Sequence, residues 1–464
     1  MKNYFFSLLL LVCSFSFGSA TAYAQQAIPS SFNGRWWLAV LEEASLPINL
    51  TFSKDSPLLY SPMQTKDPLS VSKWSFSNDT LRISSKSLGL RMTLVWNDSN
   101  GTFSGIFRQG LLSAELRFGP ADSMFSINRP QMPMPPFPYS EEEVTIKRSK
   151  EDVTLKGTLT MPEGKGPFPA VVLVSGSGQQ NRDEELLGHK PFLVLADYLS
   201  RNGIAVLRYD DRGVGGSKGD FESATTLDFA DDAEAVFNFI RKQKGIDSKR
   251  VGLVGHSEGG QIASIVAARN RKVAFIVLLA GPGTSGAEIL LQQNERIFQL
   301  DSVPQQLIEK RLEVMRAFFD ATDTLPVDKY QSFLISLIEY ECKDLDASQR
   351  KIVGLRRGDA ISFAAQMRIP WMRTFIKLDN SEYLAKIRCP VFAINGDKDC
   401  QVLPCNLDSI NNATSSKAMT FLMPGLNHLM QHCYSGAARE YMFIEETMAK
   451  EVLDLIVRCI SDYL

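Results

Sequence analysis

The sequence predicts an α/β protein: a doubly wound sheet with a helical insertion, preceded by a small all-β domain. The first observation is a series of short runs that are apolar on both faces and alternate with helical segments, as a parallel sheet covered by helices requires. These runs cover residues 169–176, 203–210, 250–257, 273–281, 389–396 and 418–425. The second observation is the preceding stretch, in which short β-like runs are broken by turn formers.

The composition is that of an ordinary globular protein. Of 464 residues, 44% are hydrophobic and 22% are charged, which excludes a disordered chain, a collagen-like chain and a polytopic membrane protein. The formal net charge of -2 gives no electrostatic reason to expect nucleic acid as a partner.

Residues 1–24 have the pattern of a secretory signal peptide. Lys2 supplies the positive charge, the run from Phe5 to Phe17 is apolar, and a small-residue motif ends at Ala24. The apolar run is too short and too interrupted by serine for a membrane span. We therefore expect cleavage after Ala24, a periplasmic or secreted protein, and no membrane span in the mature chain.

Three segments follow the signal peptide. Residues 25–127 form the predicted all-β domain, of lipocalin-like or sandwich type. Residues 128–140 are proline-rich and predict an extended linker, because proline lacks the backbone donor and fixes φ. Residues 141–464 form the α/β domain. Long amphipathic segments between two of its strands predict a helical cap over 282–388, since an unstructured loop of that length is improbable.

The all-β domain carries four tryptophans and no histidine or cysteine. Trp36, Trp37, Trp74 and Trp96 can form a sugar-binding platform or fill the core of this domain. We favour the core, where large aromatic side chains contribute most of the buried area.

Six cysteines remain after the predicted cleavage, all from Cys342 onward. An even number in an exported chain permits disulfides, but the sequence does not choose between bridges and buried thiols. The spacings contain no paired CxxC units, so we expect no zinc site, and no other motif indicates a metal or a cofactor.

The strongest motif is Gly255-His256-Ser257-Glu258-Gly259, which follows an apolar strand and precedes a helical segment. This is the G-x-S-x-G nucleophile elbow in the strand–turn–helix context that it requires. The glycines let strand and helix approach closely, and the turn lifts the serine hydroxyl above the sheet. The sequence therefore predicts Ser257 as the nucleophile and places the His256 ring behind it, packed or hydrogen-bonded.

A serine hydroxyl needs a base, and the elbow fold supplies its partners in the order serine, acid, histidine. Only His428 and His432 follow Ser257 in the chain. We predict His428, because it lies in the loop directly after the last predicted strand, whereas His432 is one helical turn further on. We favour Asp399 over Asp397 as the acid, because it stands three residues past the glycine that ends its strand.

The tetrahedral intermediate carries an oxyanion that backbone N–H groups must stabilise. One donor is expected at Glu258, directly after the nucleophile, and the second in the glycine-rich loop that begins at Ser175. We predict Gln179 as the second donor, with Gly178 as its near rival.

Two further features have structural interpretations. The adjacent Asp210 and Asp211 point to opposite sides of a strand, so they are not a carboxylate pair for glycoside hydrolysis. Bonding to an arginine that fixes the loop is the favoured role. His189 is also expected to be structural, although the edge of the site is within its range.

These motifs together resemble the α/β-hydrolase superfamily. The likeness spans residues 140–464 and includes GSGQQNRDE, GHSEGG, NGDKDCQV and GLNHL. It is specifically similar to exported bacterial serine esterases near the dienelactone hydrolases and serine aminopeptidases, some of which carry an N-terminal β-domain. The resemblance implies a triad of Ser257, Asp399 and His428.

The chain departs from the common pattern of these esterases beside the acid. Cys400 and Cys405 stand there, which leaves room for a local bridge, for example from Cys400 to Cys433.

We therefore expect a serine hydrolase that cleaves a small-molecule carboxylic ester through an acyl-enzyme. Two alternatives stay open. An aminopeptidase or amidase would use the same triad and would need an acid, such as Glu258 or one within 282–388, to anchor the substrate's ammonium group. Alternatively, an inert exported protein would bind glycan through its β-domain. The sequence indicates neither the acyl and alcohol groups nor the oligomeric state.

Overall fold

A computed structural model describes residues 28–41, 46–53, 56–62, 67–109, 112–148, 152–415 and 417–462. The predicted signal peptide, residues 1–24, lies outside the described residues. The chain divides into two compact units between Asn128 and Arg129.

The first unit is an antiparallel sheet of eight strands in the order β3-β2-β1-β8-β7-β6-β5-β4. A short 3-10 helix, Ser30–Phe32, precedes the sheet. The strands are β1 (Trp36–Leu41), β2 (Leu46–Ser53), β3 (Ser56–Tyr60), β4 (Lys73–Ser77), β5 (Thr80–Ser85), β6 (Leu90–Asn97), β7 (Thr102–Gln109) and β8 (Leu112–Ala121). Consecutive strands pair with each other except β3 and β4, which form the two edges, and β8 returns to pair with β1.

An aromatic cluster fills the interior of the first unit. The ring of Phe32 lies 5.4 Å from Trp37, 4.7 Å from Trp96 and 5.5 Å from Phe103, measured between centroids. Trp74 packs against the same core. Trp37, Trp74 and Trp96 are therefore core residues of the all-β unit, as the favoured interpretation of the sequence had it. Trp36 is instead half-buried outside this cluster, with its ring centroid 5.6 Å from that of Tyr60.

The second unit contains a second sheet of eight strands in the order β9-β10-β12-β11-β13-β14-β15-β16. The strands are β9 (Tyr139–Arg148), β10 (Val153–Pro162), β11 (Phe168–Val174), β12 (Ala205–Tyr209), β13 (Ile246–His256), β14 (Ile276–Leu279), β15 (Val391–Gly396) and β16 (Met419–Met423). Along the sheet from β12 to β16, all neighbouring strands are parallel. Strand β10 pairs antiparallel with both β12 and β9.

Twelve helices are described, together with 3-10 segments at Val327–Lys329 and Ala438–Phe443. They are α1 (Pro191–Arg201), α2 (Thr226–Ile240), α3 (Glu258–Arg269), α4 (Gly286–Leu300), α5 (Gln305–Ala321), α6 (Tyr330–Glu341), α7 (Ala347–Ile352), α8 (Arg357–Gln366), α9 (Pro370–Lys377), α10 (Asn380–Leu384), α11 (Asn406–Ala413) and α12 (Lys450–Ser461).

Both faces of the parallel sheet are covered, which confirms the doubly wound prediction. On β11, Val172 and Val174 enter one apolar core with α2 and α3, while Val171 and Leu173 enter the other with α1 and α12. Strands buried on both faces must be apolar at every position, and this is why they read as continuous apolar runs.

A helical insertion separates β14 from β15. It comprises α4 to α10, as the amphipathic segments of 282–388 predicted. Its own packing includes Phe318, whose ring centroid lies 5.5 Å from that of Tyr330 and 5.8 Å from that of Phe363. The buried Arg311 guanidinium donates to the carbonyls of Val353 and Gly354.

Residues of the proline-rich segment belong to the second unit. Arg129 donates to the carbonyls of Leu187 and Ile444, and Gln131 donates to that of Met448. Strand β9 begins at Tyr139.

The cysteines described in the structure are all unpaired thiols, namely Cys342, Cys389, Cys400, Cys405, Cys433 and Cys459. The bridge considered between Cys400 and Cys433 is therefore not formed. Instead, the Cys400 thiol contacts the carbonyl of Lys398, and the Cys433 thiol contacts that of Gly425.

Candidate active site

The nucleophile elbow joins the end of β13 to the start of α3. Ser257 adopts φ 54° and ψ -122°, a left-handed conformation that costs a non-glycine residue energy. A Cβ on Gly255 would lie 2.1 Å from the carbonyl oxygen of Gly259, and one on Gly259 would lie 2.0 Å from that of Val174. Only glycine fits these two positions, so the motif is a steric requirement of this turn.

Asp399 and His428 lie on the loops that follow β15 and β16, at the carboxyl edge of the sheet where β13 presents Ser257. The Nδ1 atom of His428 is 2.8 Å from Oδ2 of Asp399. The other oxygen of Asp399 accepts hydrogen bonds from the backbone N–H groups of Gln401 and Val402, at 2.8 and 3.0 Å. Both side chains are almost completely buried. An Nδ1–H that donates to a carboxylate leaves Nε2 free to accept a proton.

The competing acid and histidine lie elsewhere. Asp397 accepts a hydrogen bond from the backbone N–H of Gly425 at 2.7 Å, a contact that fixes the turn. His432 is 55% exposed and pairs with Glu446 and Glu451. The hydrogen bond to Glu446 raises the pKa of His432, although partial burial opposes it. These contacts give both residues roles outside the Asp399–His428 pair.

The glycine-rich loop after β11 lies against Ser257. A Cβ on Gly176 would be 3.2 Å from the Cβ of Ser257. Gly178 lines a small cavity together with Glu258. The side chain of Gln179 is exposed and its Nε2 donates to Glu222 at 3.2 Å. Ser177, which has no motif of its own in the sequence, hydrogen-bonds to Glu258 through its side chain.

The Glu258 carboxyl group is buried next to Ser257 in the chain and already has hydrogen-bond donors. Its Oε1 accepts from Thr226 Oγ1 at 2.6 Å and from Trp371 Nε1 at 2.7 Å. Burial raises the pKa of Glu258, and the hydrogen bonds from Thr226, Trp371 and Ser177 limit that rise. Thr226 begins α2 and Trp371 lies in α9 of the insertion, so this side chain connects three elements.

Two aspartates fix the loop after β12. Asp210 accepts from the backbone N–H of Arg182 at 2.8 Å and from its guanidinium at 3.0 and 3.1 Å. The Asp210 pKa is lowered, because these bonds and that of Gly216 outweigh burial. Asp211 accepts from Ser175 and from the N–H of Gln180, and burial raises its pKa well above the ordinary value. The aspartates are thus structural, and the arginine that binds Asp210 comes from the glycine-rich loop.

His189 is fully buried and structural. Its Nδ1 lies 3.1 Å from Thr447 Oγ1 and its Nε2 lies 2.9 Å from the carbonyl of Tyr441. Burial lowers the pKa of His189 to about 4. The ring is therefore neutral near pH 7.

In the part of the chain that the structure describes, no group of three or more His, Cys, Asp or Glu side chains is arranged to hold a metal ion. No helix within the same residues has the length and apolar character needed to cross a membrane.

Comparison with known proteins identifies the family. Residues 190–432, just over half of the chain, match the family model described as serine aminopeptidase, S33. The chain belongs to this family. The match runs from the start of α1 through the elbow, the insertion and the His428 loop. It confirms the expected α/β-hydrolase superfamily.

Relatives of this S33 member share modest identity with it. Esterase EstD of Thermotoga maritima is 28% identical over 240 residues, which is 52% of each chain, so the alignment spans about half of EstD. A 31.7 kDa protein of Escherichia coli is 22% identical over 263 residues, which cover 55% of this chain and 81% of that protein. The solved structure of the hypothetical protein PA2218 from Pseudomonas aeruginosa covers 72% of this chain and 96% of its own, with 15% identity and a TM-score of 0.45.

Proposed function

We propose that the protein is a serine carboxylesterase that cleaves small-molecule esters through Ser257, His428 and Asp399. The observation that carries the proposal is the 2.8 Å contact between His428 and Asp399, buried at the sheet edge where the strained elbow presents Ser257. Such a pair supplies a base with a fixed tautomer, which a serine hydroxyl needs to become a nucleophile. Membership of the S33 family and the likeness to esterase EstD support the same reaction class.

In the proposed mechanism, Ser257 Oγ attacks the ester carbonyl carbon while His428 Nε2 takes its proton. Asp399 stabilises the imidazolium that forms. The tetrahedral intermediate collapses, the C–O bond to the alcohol breaks, and His428 returns the proton to the leaving alkoxide. Water then attacks the acyl-enzyme by the same steps in reverse order and releases the carboxylic acid and free Ser257.

The oxyanion donors are part of this proposal. Glu258 contributes its backbone N–H at the start of α3, where amide groups have no partner within the helix. The second donor belongs to the glycine-rich loop, in which Gln179 is our candidate and Gly178 its rival. Gly176 lies close to Ser257, which supports a second oxyanion donor from this loop. The backbone N–H of Ser177, the next residue, is therefore a third candidate for that donor.

The geometry does not favour the amidase or aminopeptidase alternative. Its suggested anchor, Glu258, is 3% exposed and bound by Thr226 and Trp371. An ammonium group would have to displace these donors.

The insertion supplies Trp371 to the site, so we assign acyl and alcohol preference mainly to α4–α10. We also propose export, to be tested by N-terminal sequencing of the secreted or periplasmic protein, which should begin at Gln25.

The proposal is tested with p-nitrophenyl esters of increasing acyl length and with aminoacyl p-nitroanilides, assayed in parallel. Ser257→Ala should abolish ester turnover and labelling by a fluorophosphonate probe, while the exposed Ser332→Ala on α6 serves as the matched control. Full ester turnover by Ser257→Ala would overturn the assignment. Faster turnover of the anilides would favour the aminopeptidase, and failure of the wild-type chain to react with the probe would favour an inert protein.

A further inference from the structure

A second histidine–acid pair is buried behind the nucleophile. The residue His256 is 8% exposed, and Nδ1 of its ring lies 2.9 Å from Oε1 of Glu184. Its Nε2 lies 3.0 Å from the backbone carbonyl oxygen of His428. A carbonyl oxygen only accepts, so Nε2 must carry a proton. A second proton must lie between Nδ1 and the carboxyl group, which makes the contact an imidazolium–carboxylate pair or its neutral tautomer.

Glu184 makes a further contact on the oxyanion side. The same Oε1 accepts a hydrogen bond from the backbone N–H of Gly176 at 2.7 Å. Glu184 has φ 51°, a left-handed conformation that is strained for a non-glycine residue, and its N–H donates to the carbonyl of Asn181. The strained turn points the carboxyl group inward. One chain of contacts therefore runs from Gly176 through Glu184 and His256 to the backbone of His428.

The surroundings of the pair are apolar. Around Glu184 and His256 a small cavity is lined by Pro191, Phe192, Leu279, Leu429, Met430 and Met448. The other titratable groups that face His256 are the His428 ring, with its centroid 4.8 Å away, and Asp399, which His428 contacts. Burial alone would lower the pKa of His256, but the Glu184 carboxylate and the His428 carbonyl raise it above the ordinary value. These directions favour the charged form of the pair.

We propose that His256 and Glu184 form a buried ion pair that positions the site by joining the oxyanion loop to the loop of the general base. Glu184 fixes the backbone at Gly176, and His256 fixes the backbone at His428. The ion pair itself does not depend on the proposed esterase function, whereas its effect on turnover does.

The ion pair is tested directly by NMR of protein labelled with ¹⁵N-histidine. The sequence has four histidines, so single substitutions assign their ring signals. The charged pair requires His256 to keep protons on both ring nitrogens at about pH 8, above the ordinary histidine pKa of about 6.5. Glu184→Gln should leave one ring proton at that pH. A single ring proton in the wild-type protein would overturn the ion pair, whatever the protein hydrolyses.

The effect of the ion pair on turnover is tested by steady-state ester hydrolysis. The rates are divided by the amount of Ser257 that the fluorophosphonate probe labels. We expect Glu184→Gln to lower kcat about 10- to 100-fold with little change in KM, because a small shift of the reacting groups is costly. The matched control is Glu185→Gln, at the neighbouring exposed residue that pairs with Lys190.

Two substitutions of His256 test its contact with Glu184 and its contact with the His428 carbonyl separately. In His256→Gln the amide nitrogen is placed near the former Nε2 and can still bind the His428 carbonyl. In His256→Asn it is placed near the former Nδ1 and can still bind Glu184. If both contacts are needed, each variant loses at least about 10-fold in kcat. Wild-type kcat in either variant, or in Glu184→Gln, would overturn the bridging role. If the wild-type protein itself neither reacts with the probe nor hydrolyses the ester, that result would instead contradict the esterase proposal.

Discussion

The indole Nε1 of Trp371 lies 2.7 Å from Oε1 of Glu258, so the helical insertion is hydrogen-bonded to the residue that follows Ser257. The Trp371 ring also stacks on Phe375, with centroids 5.3 Å apart and planes 20° apart. The position of the insertion is thereby linked to the start of α3. A change at Trp371 is expected to affect Ser257 through this contact.

Trp371→Phe tests this link, because phenylalanine keeps the stacking on Phe375 and removes the donor. The Glu258 carboxyl group then loses one of its buried partners, at a cost of about 1–3 kcal/mol. We expect a lower Tm for the second unit and a lower kcat for esters. Differential scanning calorimetry measures the first effect, with Tyr340→Phe at a 73% exposed position as the control. An unchanged Tm would show that the contact contributes nothing to stability.

Two aspartates two residues apart should differ strongly in their effect on turnover. Asp399→Asn removes the charge that orients and stabilises His428, and we expect kcat to fall on the order of 10³- to 10⁴-fold. Asp397→Asn keeps an acceptor for the Gly425 N–H and should change kcat less than about threefold. Steady-state ester hydrolysis distinguishes the two. Equal losses would remove the basis for assigning Asp399 as the acid.

Gly176→Ala should impair the site by crowding. The new Cβ would lie 3.2 Å from the Cβ of Ser257 and 3.4 Å from Oε1 of Glu184, so the elbow or the loop must shift by a few tenths of an ångström. We expect about a tenfold lower kcat. Gly358→Ala in α8 is the control, because nothing lies within 4 Å of its new Cβ and alanine favours helix. Wild-type turnover by Gly176→Ala would mean that the loop adapts without cost.

His432→Gln should change the pH dependence of stability and leave turnover intact. Glu446 raises the pKa of His432 in the folded protein above its unfolded value of about 6.5. The stabilisation is therefore complete below the unfolded pKa and is lost as the pH rises through the folded pKa. We expect the variant to have a lower Tm than wild type at about pH 5.5 and the same Tm at about pH 9.

By contrast, His428→Gln should abolish turnover, and ester hydrolysis by that variant would contradict the choice of His428 as the base.

Much of the site was predictable because its determinants are local. The elbow requires glycine two residues on either side of Ser257, and the structure shows the two close approaches that impose this. The loops of Asp399 and His428 each follow an apolar strand directly, so the sheet order brings their residues to one edge. The insertion was predictable from the length of chain between two strands and from its amphipathic period.

Contacts across long sequence separations were not predictable in this way. Thr226 is 32 residues from Glu258, and Trp371 is 113 residues from it. Neither lies in a motif, because a single donor to a buried carboxyl group imposes no pattern on its neighbours. Glu184 lies in the loop matched to the hydrolases, yet its contact with His256 depends on a left-handed turn that the sequence does not signal.

The insertion leaves and rejoins the sheet at two strands that pair directly, with Ile276 opposite Val391. Because the two strands are parallel, the insertion starts at the carboxyl end of β14, beside Ser257, and returns to the amino end of β15. A replacement segment can be grafted between the same ends without changing the chain order of Ser257, Asp399 and His428. The sheet and its loops can therefore be kept constant while the insertion is exchanged to change substrate preference. A graft that retains the indole of Trp371 keeps the hydrogen bond that joins the insertion to the residue after Ser257.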